Sequence, residues 1–155
     1  MSVAYAPFFV DELFARRDLS GLHTLICVRS RTRKMSDACE LFRRLLEWSG
    51  ATRSGIWQYY ESLREEEFLE VCRLLRKFGM TEVLAHYRDG REVWQNGEAS
   101  AALDSWIDAH EYEIHTAILS HLRMAADELK KNEGEQDARP NASEPPPPPG
   151  APPQA

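Results

Sequence analysis

The sequence predicts an all-α protein, a compact single-domain helical bundle followed by a disordered proline-rich tail. Three observations carry that expectation. Apolar residues recur at steps of three and four along most of residues 1–131, the repeat that lines one face of a helix. Only one segment, Leu22–Val28, could serve as a strand, and nothing else in the chain offers it a partner. Eight of the nine prolines fall between Lys131 and Ala155, so after Pro7 the bundle contains no helix breaker of that kind.

Pro7 suits a first helical turn, and Phe8, Val10, Leu13 and Phe14 follow it with Asp11 and Glu12 between. That reads as a short amphipathic helix. Asp18-Leu-Ser-Gly21 reads as a break with capping chemistry. Leu22, Leu25 and Ile26 have helical spacing, and without a strand partner Leu22–Val28 is expected to be helix. Ser36 is placed as an N-cap, with Glu40 just beyond the capping-box position. The apolar side of that helix runs Ala38, Leu41, Phe42, Leu45 and Leu46, and Ser49-Gly50 ends it. Ser54-Gly55 introduces an aromatic cluster over Ile56–Tyr60. Arg64–Phe78 has a broad apolar face and Gly79 as its cap. A shorter helix, Thr81–Tyr87, is expected to start on Thr81 and to close at Asp89-Gly90. The longest pattern, Ser100 to Leu129, repeats Leu103, Ile107, His110, Ile114, Ile118, Leu122, Ala125 and Leu129.

Residues 132–155 hold Glu133, Glu135, Asp137 and Glu144 before Pro145–Pro149, with no large apolar side chain. Such a segment cannot bury enough surface to offset chain entropy, so disorder with polyproline II bias is expected. A PxxP-type ligand for an aromatic groove is the alternative role.

Composition narrows the function. The chain has 155 residues, 43% of them hydrophobic and 28% charged, the profile of a soluble globular protein. No apolar run approaches the ~20 residues of a membrane helix, and Met1–Val10 lacks a basic start with a long apolar core. Cys27, Cys39 and Cys72 are odd in number and form no CxxC pair, which argues against a disulfide scaffold or a zinc knuckle and for the cytoplasm. The net charge of −6 is polarised. Residues 1–60 carry nine basic and six acidic side chains, whereas Glu98–Glu128 carries seven carboxylates and one Arg123. That balance argues against a dedicated nucleic-acid binder. Arg29-Ser-Arg-Thr-Arg-Lys34 has no interleaved aromatic residue and is expected as an exposed loop between helices.

The segment Arg53-Ser-Gly-Ile-Trp-Gln-Tyr-Tyr60, the helix after it and Phe78-Gly79-Met80 together resemble a bacterial family of unknown function that includes small DNA-mimic proteins. That family has an Asn-Gly-Gly-x-x-Gln-Tyr/Phe turn. Gly55, Gln58 and Tyr59 fall on the pattern, while Arg53 and Ser54 stand where Asn and the first Gly are usual. The similarity spans roughly residues 41–90. It implies an all-α fold, no known catalytic activity and binding to protein partners, with DNA mimicry attributed to some members. Read from the residues alone, Gly55 permits a backbone shape closed to other residues. Trp57, Tyr59 and Tyr60 supply packing surface, and Gln58 can bond a loop backbone. A structural role for the motif is expected, with a partner contact as the alternative.

Chemical sites are sparse. His110 and His115 are five apart, which places them about 140° apart around a helix, unlike the histidines of HExxH. Asp104, Asp108, Glu111 and His115 step along one face and could form one wall of a divalent-cation site. No nucleophile elbow, P-loop or dinucleotide glycine pattern is present. Cys39 and Cys72 sit at apolar helix positions and are expected in the core. Trp94 and Trp106 are expected as packing anchors, with a cleft wall as the alternative.

The expected function is therefore a non-enzymatic, cytoplasmic interaction protein without a cofactor. It would act as a regulator or inhibitor, binding a basic protein surface, such as that of a DNA-binding protein, through Asp104, Asp108, Glu111 and Glu113. Direct nucleic-acid or membrane binding is not expected, and a homodimer is compatible. Two alternatives stand beside it: a metal-assisted hydrolase using Asp104, Asp108, Glu111 and His115, and an immunity- or antitoxin-like neutraliser.

Overall fold

A computed structural model of the chain describes residues 7–131. The expectations for residues 132–155 lie outside the described residues. The described chain is all-α. It consists of α1 (Pro7–Ala15), α2 (Leu19–Arg29), α3 (Asp37–Gly50), a 3-10 turn (Ala51–Arg53), α4 (Ile56–Ser62), α5 (Glu65–Lys77), α6 (Thr81–Val93), α7 (Gly97–Met124) and α8 (Ala126–Lys130). No strand occurs among these residues, and Leu22–Val28, which its spacing leaves open between helix and strand, is helix, as the lack of a strand partner predicts.

The bundle is organised around α3. One side of α3 buries Ala38, Cys39, Leu41, Phe42, Leu45, Trp48 and Ser49, and these pack chiefly against α7, with α2 and α5 on the flanks. Its other side is charged and internally matched. Arg43 donates to Glu40 at 2.8 Å and to Glu47 at 3.2 Å, and Arg44 reaches Glu67 of α5 at 3.3 Å. The predicted face of α7 is buried where expected, at Leu103, Ile107, Ile114, Ile118 and Leu122.

The helix ends follow local chemistry, with two differences from the sequence reading. Asp18 does cap α2, accepting the Gly21 N–H at 2.8 Å, but the helix starts at Leu19 rather than after Gly21. Ser36 occupies the N-cap of α3, yet its hydroxyl makes no capping bond to the first turn. Glu128 of α8 supplies the acceptor instead, bonding the Ser36 N–H at 2.9 Å and the Cys39 thiol at 3.5 Å. This explains why the long pattern to Leu129 breaks at Ala125. The short turn redirects α8 so that Glu128 reaches α3, Leu129 is fully buried and Lys130 pairs with Asp11 at 2.7 Å. Gly79 closes α5 as expected: its φ is +70°, its N–H bonds the Arg76 carbonyl and the Met80 N–H bonds the Leu75 carbonyl, a Schellman pair.

The larger correction concerns α6. It begins after Met80 and runs through Asp89-Gly90 to Val93, because Gly90 is a contact surface and not a stop. A Cβ on Gly90 would lie 2.3 Å from the Tyr60 hydroxyl oxygen and 2.4 Å from its Cζ. The missing side chain lets Tyr60 enter the core. There its hydroxyl donates to the Tyr87 carbonyl at 2.7 Å and accepts from the Trp48 indole N–H at 3.0 Å. Phe68 stacks on Tyr87 at 5.6 Å, and the Tyr59 and Tyr87 hydroxyls are 2.9 Å apart.

Carboxylate–arginine pairing gives the bundle an acid-sensitive edge. Asp37 accepts from Arg73 at 2.9 and 3.1 Å and from Lys77 at 2.6 Å, and these bonds hold its carboxyl well below the usual range. Glu67 is lowered to about 2, first by its bond to Arg64. A carboxyl whose folded pKa is depressed stabilises the fold above its unfolded pKa and loses that contribution as pH falls through the folded one. Thermal stability should therefore fall from about pH 4.5 down to about pH 2. The Asp37→Asn/Glu67→Gln variant should be less stable than wild type at pH 7 and show a flatter profile in melting scans. An unchanged slope would contradict this origin.

Candidate functional site

The four carboxylates expected to contact a partner, Asp104, Asp108, Glu111 and Glu113, lie on α7, and the structure places them differently. Asp104 is half-buried and turned inward, where it accepts the Ile56 N–H at 2.8 Å and so caps α4. Burial raises its pKa, the Ile56 bond lowers it, and neighbouring Asp108 raises it further. Glu111 sits at a cleft edge, 4.0 Å from His115. Asp108 and Glu113 are exposed and make no ion pair among the described residues. Between them stands Tyr112, 71% exposed. The Arg17 guanidinium lies 4.9 Å from the Tyr112 ring centroid and donates to Thr116 at 3.2 Å.

The set proposed as a metal wall does not assemble. Asp104 is committed to α4, and His115 turns towards Ser49 of α3, 2.8 Å away. Among the described residues no group of three or more His, Cys, Asp or Glu side chains is placed to hold a metal ion.

Among the described residues, clefts border α7 at three places. The first, about 330 Å³, joins α2, α3 and α7 and is lined by His23, Glu47, Ser49, Arg53, Glu111 and His115 among others. Its Ser49–His115 pair has the distance of a nucleophile and base but not the arrangement. Glu111 approaches the same Nε2 that meets Ser49, leaving Nδ1 without an orienting carboxylate. Ser49 is 1% exposed and also donates to the Leu46 carbonyl, and burial lowers the His115 pKa. Sequence reading had no signal for this pair, whose members are 66 residues apart.

The second cleft, about 590 Å³, lies between the start of α4 and the α6–α7 turn. Gly55, Trp57, Glu61, Trp94, Ser100 and Asp104 line it. Gly55 has φ +95°, and a Cβ there would sit 2.7 Å from the Trp57 ring, so the glycine lets the indole fold back over the helix start. The octapeptide thus divides: Tyr59 and Tyr60 pack inward, Trp57 walls a cleft, and Gln58 is exposed while its N–H bonds the Gly55 carbonyl. The third cleft, about 340 Å³, is mostly apolar and includes Met80, Val83, Trp106, His110 and Glu113. Trp106 is stacked between His86 and His110 at 3.6 and 4.4 Å. Trp94 and Trp106, expected as buried anchors, are both half-buried cleft walls.

The basic run also departs from expectation. Arg31 and Lys34 are exposed, but Arg29 is 2% exposed inside α2, with its Nε and one terminal nitrogen unpartnered. Arg33 donates to the Glu128 carbonyl. The run serves partly as structure. Cys39 and Cys72 are buried as predicted, and burial pushes the Cys39 thiol up to about 12, away from nucleophilic use.

The chain matches no family model, no curated protein and no solved structure. No helix of the described residues is long and apolar enough to cross a membrane.

Proposed function

We propose that this is a non-enzymatic binding protein that presents the solvent face of α7 to a basic protein surface. One observation carries the reading. Five carboxylates of α3 and α5 (Asp37, Glu40, Glu47, Glu67 and Glu70) are matched by arginines, whereas Asp108 and Glu113 are exposed without a Lys or Arg partner among the described residues. Tyr112 between them, with Arg17 on its ring, adds the residue types that dominate binding hot spots. A basic DNA-binding protein, captured in competition with its DNA, is the form that the family resemblance implies. An immunity- or antitoxin-like neutraliser would use the same surface, and the identity of the partner separates the two.

The test is affinity capture from the native host at low salt, followed by titration of the purified partner. Asp108→Lys/Glu113→Lys should weaken binding by more than about tenfold, since like charges facing each other across an interface cost several kcal/mol. A duplex oligonucleotide should compete if the partner binds DNA. A captured partner that binds the charge-reversed protein equally well would overturn the assignment of this face.

A further inference from the structure

The cleft at the start of α4 has a chemistry that the binding face does not explain. Among the described residues its ionisable lining consists of Glu61 and Asp104, with no Lys, Arg or His side chain. Trp57, 42% exposed, and the half-buried Trp94 contribute indole surface. Ser100 also lines the cleft, is 3% exposed, and its hydroxyl has no hydrogen-bond partner. Buried hydroxyls are nearly always paired, so an unpaired one in a cleft marks a place where a ligand atom completes the bonding.

Charge sign decides the class of ligand. Both α4 and α7 begin beside this cleft, and bare helix starts attract anions. These two are already served. Asp104 accepts the Ile56 N–H at 2.8 Å and Asn96 accepts the Ala99 N–H at 3.0 Å. An incoming anion would meet two carboxylates, whereas a cation would meet those carboxylates and the negative faces of indole rings. The volume, about 590 Å³, admits a head group and several carbons.

We propose that this cleft binds an organic cation, an alkylammonium or guanidinium head group. Glu61 and Asp104 supply the counter-charge, Trp57 and Trp94 the aromatic surface, and the Ser100 hydroxyl an acceptor for an N–H. The head group could belong to a free amine or to a Lys or Arg side chain of a peptide. The site does not depend on the α7 face described above, and either can fail alone.

The experiment follows the indole N–H resonances of the full chain during four titrations. Choline is compared with its neutral carbon isostere 3,3-dimethylbutan-1-ol. Nα-acetyl-arginine methylamide is compared with the corresponding neutral citrulline amide. At least one cation should give saturable shifts in the millimolar range and bind at least about tenfold more tightly than its neutral isostere. Response to choline alone assigns a quaternary ammonium held by charge and indole faces without the Ser100 bond, and response to the arginine amide alone assigns a side chain. Glu61→Gln, at an exposed position, should weaken binding several-fold without changing the melting temperature. Ser100→Ala should weaken an N–H-bearing cation and leave the fold intact. Equal affinity for the neutral isosteres, shifts that do not saturate, or indifference to Glu61→Gln would each overturn the proposal.

Discussion

Gly90→Ala should destabilise the protein by about 2 kcal/mol or more, although glycine-to-alanine in a helix interior ordinarily stabilises by about 1 kcal/mol. The sign reverses because the new methyl would occupy the place of the Tyr60 hydroxyl, with Cζ and Cε2 of the ring at 2.4 and 2.6 Å. The ring cannot retreat cheaply. Tyr60 is 1% exposed and held by Trp48, Tyr59 and Tyr87. Overpacking of this kind costs about 1–3 kcal/mol and sometimes more, enough to outweigh the propensity gain. Thermal unfolding should show a fall of several degrees. Adding Tyr60→Phe should not restore stability, because the carbon atoms in conflict remain. A melting temperature equal to or above that of wild type would show that Tyr60 does not use Gly90 as its floor.

Tyr60→Phe alone should cost about 2–3 kcal/mol, the sum of lost bonds and an indole N–H left buried without an acceptor. The hydroxyl joins α3 to α6, accepting from Trp48 and donating to Tyr87. Trp48 is 0% exposed, so water cannot replace the lost acceptor without opening the core. The Tyr60→Phe/Trp48→Phe double variant isolates the pair. If the Trp48–Tyr60 bond carries the cost, the double-variant loss should be smaller than the sum of the single losses. Strict additivity in chemical denaturation would place the cost elsewhere.

The extent to which the site was readable follows from the range of the forces involved. Asp108 and Glu113 could be placed off the buried row of α7 because helical spacing decides which residues turn to the core, although five positions set them about 140° apart on the two flanks of its solvent side. Asp104 belongs to the same row but is taken by the Ile56 amide 48 positions away, a bond no local pattern announces. His115 is diverted to Ser49 in the same manner. Trp57 stood out as part of an aromatic run, yet its role as a cleft wall depends on Trp94 and Ser100 arriving from beyond α6.

By itself the sequence determined the helical class, the Gly79 cap and the buried row of α7. Those features rest on side-chain periodicity and backbone geometry, which act over a few residues. Only the tertiary structure decided that Gly90 lies within α6 rather than ending it, that Glu128 rather than the Ser36 hydroxyl caps α3, and that the long helix turns at Ala125. In each case a buried polar group or a bulky ring from a distant segment had to be accommodated. The cost of an unmet hydrogen bond or an overlap in the core exceeds the few tenths to one kcal/mol by which local propensity prefers one helix end to another.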